Sequence, residues 1–292
     1  MKRGVCFSGG GIKCAAHIGA VRAFEEYGIE FDCISGTSSG SIIAVLYALG
    51  YSADEMYAII KKYAKSIGYI EIKKVLKFIA DLVLYRKVKI DGLNSGKKLE
   101  KLIEKICQDK GVRYISEIKK EIIIPSVDLC DGKIYIFNSI KAEKVKQAEN
   151  RSQREYSDNV IYDNKIKISE AVRASCSYPG VFCPYGYKGR KLIDGGIREN
   201  MPWRQLQELG MDEVWGITFS KNTKNDCEKN VFEVIGDSIG ILCHELSNYE
   251  LDGMVDRINI VSNNVELLDY RRIDYLCEKG YFITKKFIEG KK

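Results

Sequence analysis

Histidine is almost missing from this chain: 292 residues hold two, His17 and His244. A serine–histidine–acid triad needs a histidine on a loop within reach of its nucleophile. His17 falls instead within a helical pattern facing small residues, which predicts a packed core or near-site histidine. His244 lies in a helix beside Glu245, which predicts a surface or half-buried one. No C-x-x-C pair occurs among the ten cysteines, and two distant histidines cannot complete a zinc finger. The thiols therefore read as small apolar fillers, reduced as in a cytosolic protein. The longest apolar run, IIAVLYAL at 42–49, is far short of the roughly 20 residues a membrane span needs. The start, MKRGVCFSGGG, meets glycines before an apolar region can form, so no signal peptide is predicted. The expected location is cytoplasmic, with peripheral membrane contact and signal-less export left open. No basic stripe interleaves with stacking aromatics, which argues against a nucleic-acid partner. No repeat, low-complexity tract or Pro/Ser-rich linker divides the chain. A single domain over 1–292 is expected, with a helical insertion at about 52–110 and a helical end at about 231–292.

Hydrophobic residues make up 45% of the chain, enough for a sizeable core, and the net charge of +6 is mild. Lys-Lys pairs at 61–62, 73–74, 97–98 and 119–120 read as solvated helix faces, with attraction to anionic headgroups as the alternative. Residues 4–8 predict a short buried strand, followed by Gly9, Gly10 and Gly11 and a helix ending at Gly28. A second strand over about 29–35 enters SGTSSGS and turns into the helix SIIAVLYALG. Strand, glycine loop and helix, twice over, predict a parallel sheet with helices on both faces. The two loops then share the carboxyl end of neighbouring strands, where open α/β sheets place their sites.

Ser52 and Glu55 form a predicted capping box. The stripe Ile72, Val75, Leu76, Ile79, Leu82 and Val83 within 71–85 packs on the sheet or serves as a lid or membrane-touching helix. Residues 122–139 predict a strand pair turning at Asp131-Gly132, and 141–165 reads as a polar loop. A short helix over 168–177, capped by Ser169, precedes a strand that breaks at Gly195-Gly196. A helix near 202–209, the strand EVWGITFS, a helix over about 231–249, the strand RINIVS and a last helix over 270–289 complete the alternation.

Three elements carry chemistry. Gly36, Ser38 and Gly40 form a Gly-x-Ser-x-Gly frame between a strand and a helix, the context of a nucleophile elbow. A plain glycine turn, with Ser39 or Ser41 capping the helix, is the alternative. The loop Gly9-Gly10-Gly11-Ile12-Lys13 can aim backbone N–H groups at a developing oxyanion, or can cradle a phosphate. It fits neither G-x-G-x-x-G, since Cys14 fills the last position, nor the P-loop. Lys13 contacts an anionic group or lies on the helix surface. Asp194 ends a strand before two glycines, as a placed carboxylate or as an ordinary Asp-Gly turn.

In order and context these motifs resemble the patatin-like phospholipases over about residues 4–220. The correspondence runs through the oxyanion loop at 9–13, the elbow Gly36-Thr37-Ser38-Ser39-Gly40 and the D-G-[AG] motif at Asp194-Gly195-Gly196. The one departure is Cys14, which stands where a glycine is common after the loop's basic residue. The resemblance implies a three-layer α/β/α fold around a mostly parallel sheet, and a serine–aspartate dyad that needs no histidine. Ser38 would attack an ester carbonyl, Asp194 would take its proton directly, and amides of 9–13 would hold the oxyanion. The implied activity is a serine hydrolase of the phospholipase A or lysophospholipase type acting on acyl lipids, without cofactor or metal. An acyltransferase or short-chain esterase on the same dyad, and a non-catalytic lipid- or phosphate-binding module, are the alternatives.

Overall fold

The central strands are buried almost throughout, and their successive residues enter two different apolar clusters. Val5 and Phe7, Ile34, Ile122 and Ile124, and Trp215 and Ile217 enter one apolar cluster, while Cys6, Cys33, Ile123 and Val214 enter a second. A strand puts successive side chains on opposite faces, so the two clusters are the two faces of one sheet. The computed structural model describes residues 1–64, 91–151, 159–220, 231–261, 265 and 269–291. The 71–85 stripe lies outside them.

The strands are β1 (Arg3–Phe7), β2 (Cys33–Gly36), β3 (Glu121–Asp128), β4 (Ile134–Asn138), β5 (Val160–Asp163), β6 (Tyr185–Tyr187), β7 (Arg190–Asp194), β8 (Glu213–Phe219) and β9 (Asp256–Ile260). Their order is β5-β4-β3-β2-β1-β8-β9, with β7 also on β3 and β6 on β7. From β3 to β9 every neighbour is parallel, and β4 and β7 run antiparallel to β3. The helices are α1 (Ala15–Glu26), α2 (Ser39–Ala48), α3 (Ala53–Ala64), α4 (Lys97–Asp109), α5 (Ala142–Arg151), α6 (Ile168–Ser175), α7 (Trp203–Glu208), α8 (Val231–Glu250) and α9 (Ile273–Lys291). The larger cluster joins α1, α2, α3, α4, α6 and α9 to one face; α5 and α7 cover the other. The predicted α/β/α architecture is the one observed.

Three local expectations need correction. The supposed loop at 141–165 contains α5 and β5. Only Val145 and Ala148 of α5 are buried, so its polar composition hides a helix with a narrow apolar stripe. Ser169 does not cap α6; Lys167 occupies the cap position, with no side-chain hydrogen bond. Neither Ser39 nor Ser41 caps α2, whose N-cap is Ser38. The Ser52–Glu55 box does form: the Ser52 N–H donates to Glu55 at 2.7 Å, and the Glu55 N–H to Ser52 Oγ at 3.3 Å. No described helix is long and apolar enough to cross a membrane.

The last helix bears on the first. A Cβ on Gly280 would stand 1.9 Å from the Ala16 carbonyl oxygen, and one on Gly19 1.9 Å from that of Cys277. Two glycines therefore let α1 and α9 touch backbone to backbone, and the Cys277 thiol donates to the Ala15 carbonyl at 3.0 Å. Gly280→Val is expected to cost about 1–3 kcal/mol by forcing the helices apart. Urea denaturation with an unchanged midpoint would show that the close crossing carries no stability.

Candidate active site

The elbow is built by steric exclusion. A Cβ on Gly36 would lie 2.4 Å from the Gly40 carbonyl oxygen, and one on Gly40 2.2 Å from that of Phe7. With both positions bare, the chain turns from β2 into α2 through Ser38 at φ 52° and ψ −127°. A non-glycine residue there costs about 1–3 kcal/mol and persists only where its surroundings enforce it. They do so here: the Ser38 N–H donates to Ser175 Oγ at 2.9 Å, and Ser41 Oγ donates to the Ser38 carbonyl at 2.5 Å. Ser35, Ser39 and Ser41 are buried, whereas Ser38 is partly exposed. The structure thus leaves one serine of the cluster accessible.

Strand register brings Asp194 to this serine across a sequence separation of 156 positions (194 − 38). β2 pairs only with the first half of β3, ending at Ser35 opposite Ile123. β7 takes up the second half, with Ser126 opposite Asp194, while β4 occupies the other edge of β3. Ser38 lies three residues beyond Ser35, and Ser126 lies three beyond Ile123. The aspartate that ends β7 therefore sits just past the carboxyl end of β2. Gly195 makes the exit possible, since a Cβ there would stand 2.4 Å from the Pro125 carbonyl oxygen.

Asp194 is buried, and burial raises its carboxyl to about 6, against the opposing pull of the Ser38 hydroxyl and the Gly196 N–H. Oδ1 accepts the Gly196 N–H at 2.8 Å. Oδ2 has no hydrogen-bond partner among the described residues. The Ser38 hydroxyl thus lies near enough to favour the ionised carboxylate without closing a hydrogen bond to it, a spacing common in unliganded sites.

The glycine loop packs directly on the elbow: a Cβ on Gly9 would lie 2.9 Å from Ser38 Cβ. The Gly9 N–H donates to Asn200 Oδ1 at 2.8 Å and the Gly10 N–H to Ser39 Oγ at 3.1 Å. Gly11 (φ 59°) then opens a 3-10 turn over Gly11–Cys14 that leads into α1. The N–H groups of Gly11 and Ile12 have no acceptor among the described residues. Lys13 is half-buried, and burial lowers its ammonium below the usual lysine range. Cys14 is buried, with its thiol pushed up to about 12 by burial.

Neither histidine faces Ser38 through a hydrogen bond. His17 is buried between Phe7 and Phe219, at ring-centroid distances of 5.2 and 4.8 Å. Its Nε2 donates to the Ser8 carbonyl at 2.9 Å, and burial lowers its pKa to about 4. The ring is neutral and fixes the strand end from which the glycine loop departs. His244 is half-buried on α8, with Nδ1 3.1 Å from Asn248 Nδ2. Sequence reasoning weighed Ser39 only as a helix cap and passed over Ser175 and Asn200; the three hold the loop and the elbow. Their bonds span 29, 137 and 191 positions, and no local pattern announces them.

A sequence model described as patatin-like phospholipase matches residues 5–206. The uncharacterized protein YqhO of Bacillus subtilis is 29% identical over 240 residues, covering 79% of this chain and 76% of its own length. The uncharacterized protein R571 of Acanthamoeba polyphaga mimivirus is 28% identical over 312 residues, covering 98% and 93%. A lysophospholipase of Aspergillus fumigatus is 27% identical over 236 residues, 81% of this chain but 13% of that protein. Among solved structures, VipD from Legionella pneumophila superposes with a TM-score of 0.53 at 15% identity, over 99% of this chain and 67% of that one. That likeness is one of fold.

Proposed function

The chain belongs to the patatin-like phospholipase family, and on that footing we propose that it hydrolyses carboxylic esters of phospholipids or related acyl lipids through Ser38 and Asp194. The observation that supports this most is the register of β7 on β3. It sets a buried carboxylate with an unpartnered oxygen beside the accessible serine of a strained elbow.

In this reading Asp194 accepts the proton of Ser38 as Oγ attacks the ester carbonyl. The carbonyl oxygen gains negative charge, and the free amides of Gly11 and Ile12 receive it. Gly9 and Gly10 serve differently: their amides are engaged within the protein and shape the loop. Collapse of the intermediate breaks the ester C–O bond, and the leaving alkoxide takes the proton from Asp194. Water, deprotonated by Asp194, then attacks the acyl-enzyme, and Ser38 recovers its proton as the fatty acid departs. We also take the residues after 206 as part of this one working domain, because α8 supports Asn200 and α9 packs on α1.

A fluorophosphonate probe, followed by mass spectrometry of the labelled peptide, tests the nucleophile. A single adduct on Ser38 is expected; an unlabelled protein, or an adduct elsewhere, removes the dyad. The base has its own signature. Asp194 accepts a proton only when ionised, so kcat/KM for a short-chain ester should rise with pH through a midpoint near 6 and level above it. A profile flat from pH 5 to 8 would exclude Asp194 as the base.

A further inference from the structure

Among the described residues, the Asn200 side chain hydrogen-bonds both the glycine loop and α8. Its Oδ1 accepts the Gly9 N–H at 2.8 Å, and its Nδ2 donates to Ser247 Oγ at 3.2 Å. The amide is thereby oriented: the acceptor faces the loop and the donor faces the helix. Its backbone is held as well, since the N–H groups of Asn200 and Met201 both donate to Glu250 Oε2 at 3.1 Å. Ser247 in turn donates to the Cys243 carbonyl at 2.7 Å, and Trp203 Nε1 to the Glu250 carbonyl at 2.7 Å. A continuous set of hydrogen bonds thus runs from the last turns of α8 through Asn200 to Gly9. That residue would collide with Ser38 if it carried even a Cβ.

Gly9 permits almost any backbone orientation, so nothing in its own chemistry fixes the peptide ahead of the oxyanion amides. The Asn200 bond supplies that constraint. We propose that Asn200 is a positioning residue: by holding the Gly9 N–H it sets the direction in which Gly11 and Ile12 present theirs, and Ser247 acts on the loop through it. This rests on the reading of Ser38 as nucleophile and of the loop as oxyanion hole. A preorganised donor counts only where it meets the oxygen of the transition state, so displacement of the loop should slow acylation with little effect on ground-state binding.

The test compares Asn200→Ala, Ser247→Ala and the double variant by steady-state hydrolysis of p-nitrophenyl butyrate and by the rate of fluorophosphonate labelling. Asn200→Ala is expected to lower kcat and the labelling rate by about 10–100-fold with KM within about 3-fold of the parent. Ser247→Ala should lower kcat by a smaller factor. The double variant should match Asn200→Ala, because a residue acting through another adds nothing once that one is gone. Unchanged kcat in Asn200→Ala, a loss confined to KM, or a Ser247→Ala loss that persists in full beside Asn200→Ala overturns the proposal. Should Asn200→Ala fail to fold, Ser247→Ala decides alone: lower kcat at constant KM supports the relay, and parental kcat rejects it. A parent protein that is not labelled at Ser38 brings down the nucleophile and this proposal together. A labelled parent with equally fast Asn200→Ala labelling brings down the positioning role only.

Discussion

Ser38→Ala is expected to reduce kcat for ester hydrolysis by about 10⁴-fold or more while leaving the fold intact. The size follows from what else is present to take over. Ser35 and Ser41 are fully buried, and Ser39 is tied to the Gly10 amide, so no neighbouring hydroxyl can reach a substrate that Ser38 reaches. The fold should survive, because the hydroxyl makes no structural hydrogen bond: the elbow is held by the Ser38 N–H and carbonyl, which alanine retains. The pair should also behave as one unit. Ser38→Ala combined with Asp194→Asn is expected to be no slower than the worse single variant, since a base without its nucleophile has no proton to take. Single-turnover assays on the three proteins check this. Residual activity above a tenth of the parent in a folded Ser38→Ala protein would assign the chemistry elsewhere.

The parts of the site legible in the sequence are those whose geometry is steric and local. Gly36 and Gly40 are fixed by contacts at 2.2–2.4 Å that only glycine tolerates, so the elbow announces itself in seven residues. β1, β2 and their helices are legible because short apolar runs meeting glycine loops, each followed by a helix, mark buried strands of an α/β sheet. Legibility ends where a polar residue's partner is distant. Asn200 lies four residues after the Asp194-Gly195-Gly196 motif, yet its role depends on Gly9 and Ser247, which tertiary packing alone brings to it. The same holds for β7, whose strand character was readable but whose place along the second half of β3 was not. That register turns an ordinary Asp-Gly turn residue into the neighbour of Ser38. Helix α5 was missed on other grounds, because two buried residues in ten make a stripe too narrow to stand out in so polar a segment.

Asp194→Asn should eliminate activity and yet stabilise the protein at neutral pH by about 1–3 kcal/mol. Burial raises this carboxyl from 3.8 to about 6, so the folded chain prefers it protonated and the unfolded chain does not. A group with a raised folded pKa contributes fully below its unfolded value, and that contribution is lost as pH rises through the folded value. Above pH 6, then, the folded protein holds an ionised carboxylate at a cost of about 3 kcal/mol, from two pH units at 1.36 kcal/mol each. Asparagine has nearly the same shape and no charge, and its carbonyl can still accept the Gly196 N–H, so most of that cost disappears. The advantage should be largest near pH 8 and shrink to about a third by pH 4.5, where the parent carboxyl is protonated in the fold. His17 works in the opposite direction: lowered to about 4, it withdraws stability as pH falls below its usual value of 6.5. Both proteins carry His17, so its contribution cancels in their difference, and the pH dependence of that difference isolates Asp194. Urea denaturation of the two proteins at pH 8 and pH 4.5 measures it. An equal difference at both values, or a less stable variant at pH 8, would mean that the carboxylate is not held at a cost. A base kept ionised against its surroundings is one ready to take a proton, so the stability lost at Asp194 and the basicity available to Ser38 are the same free energy.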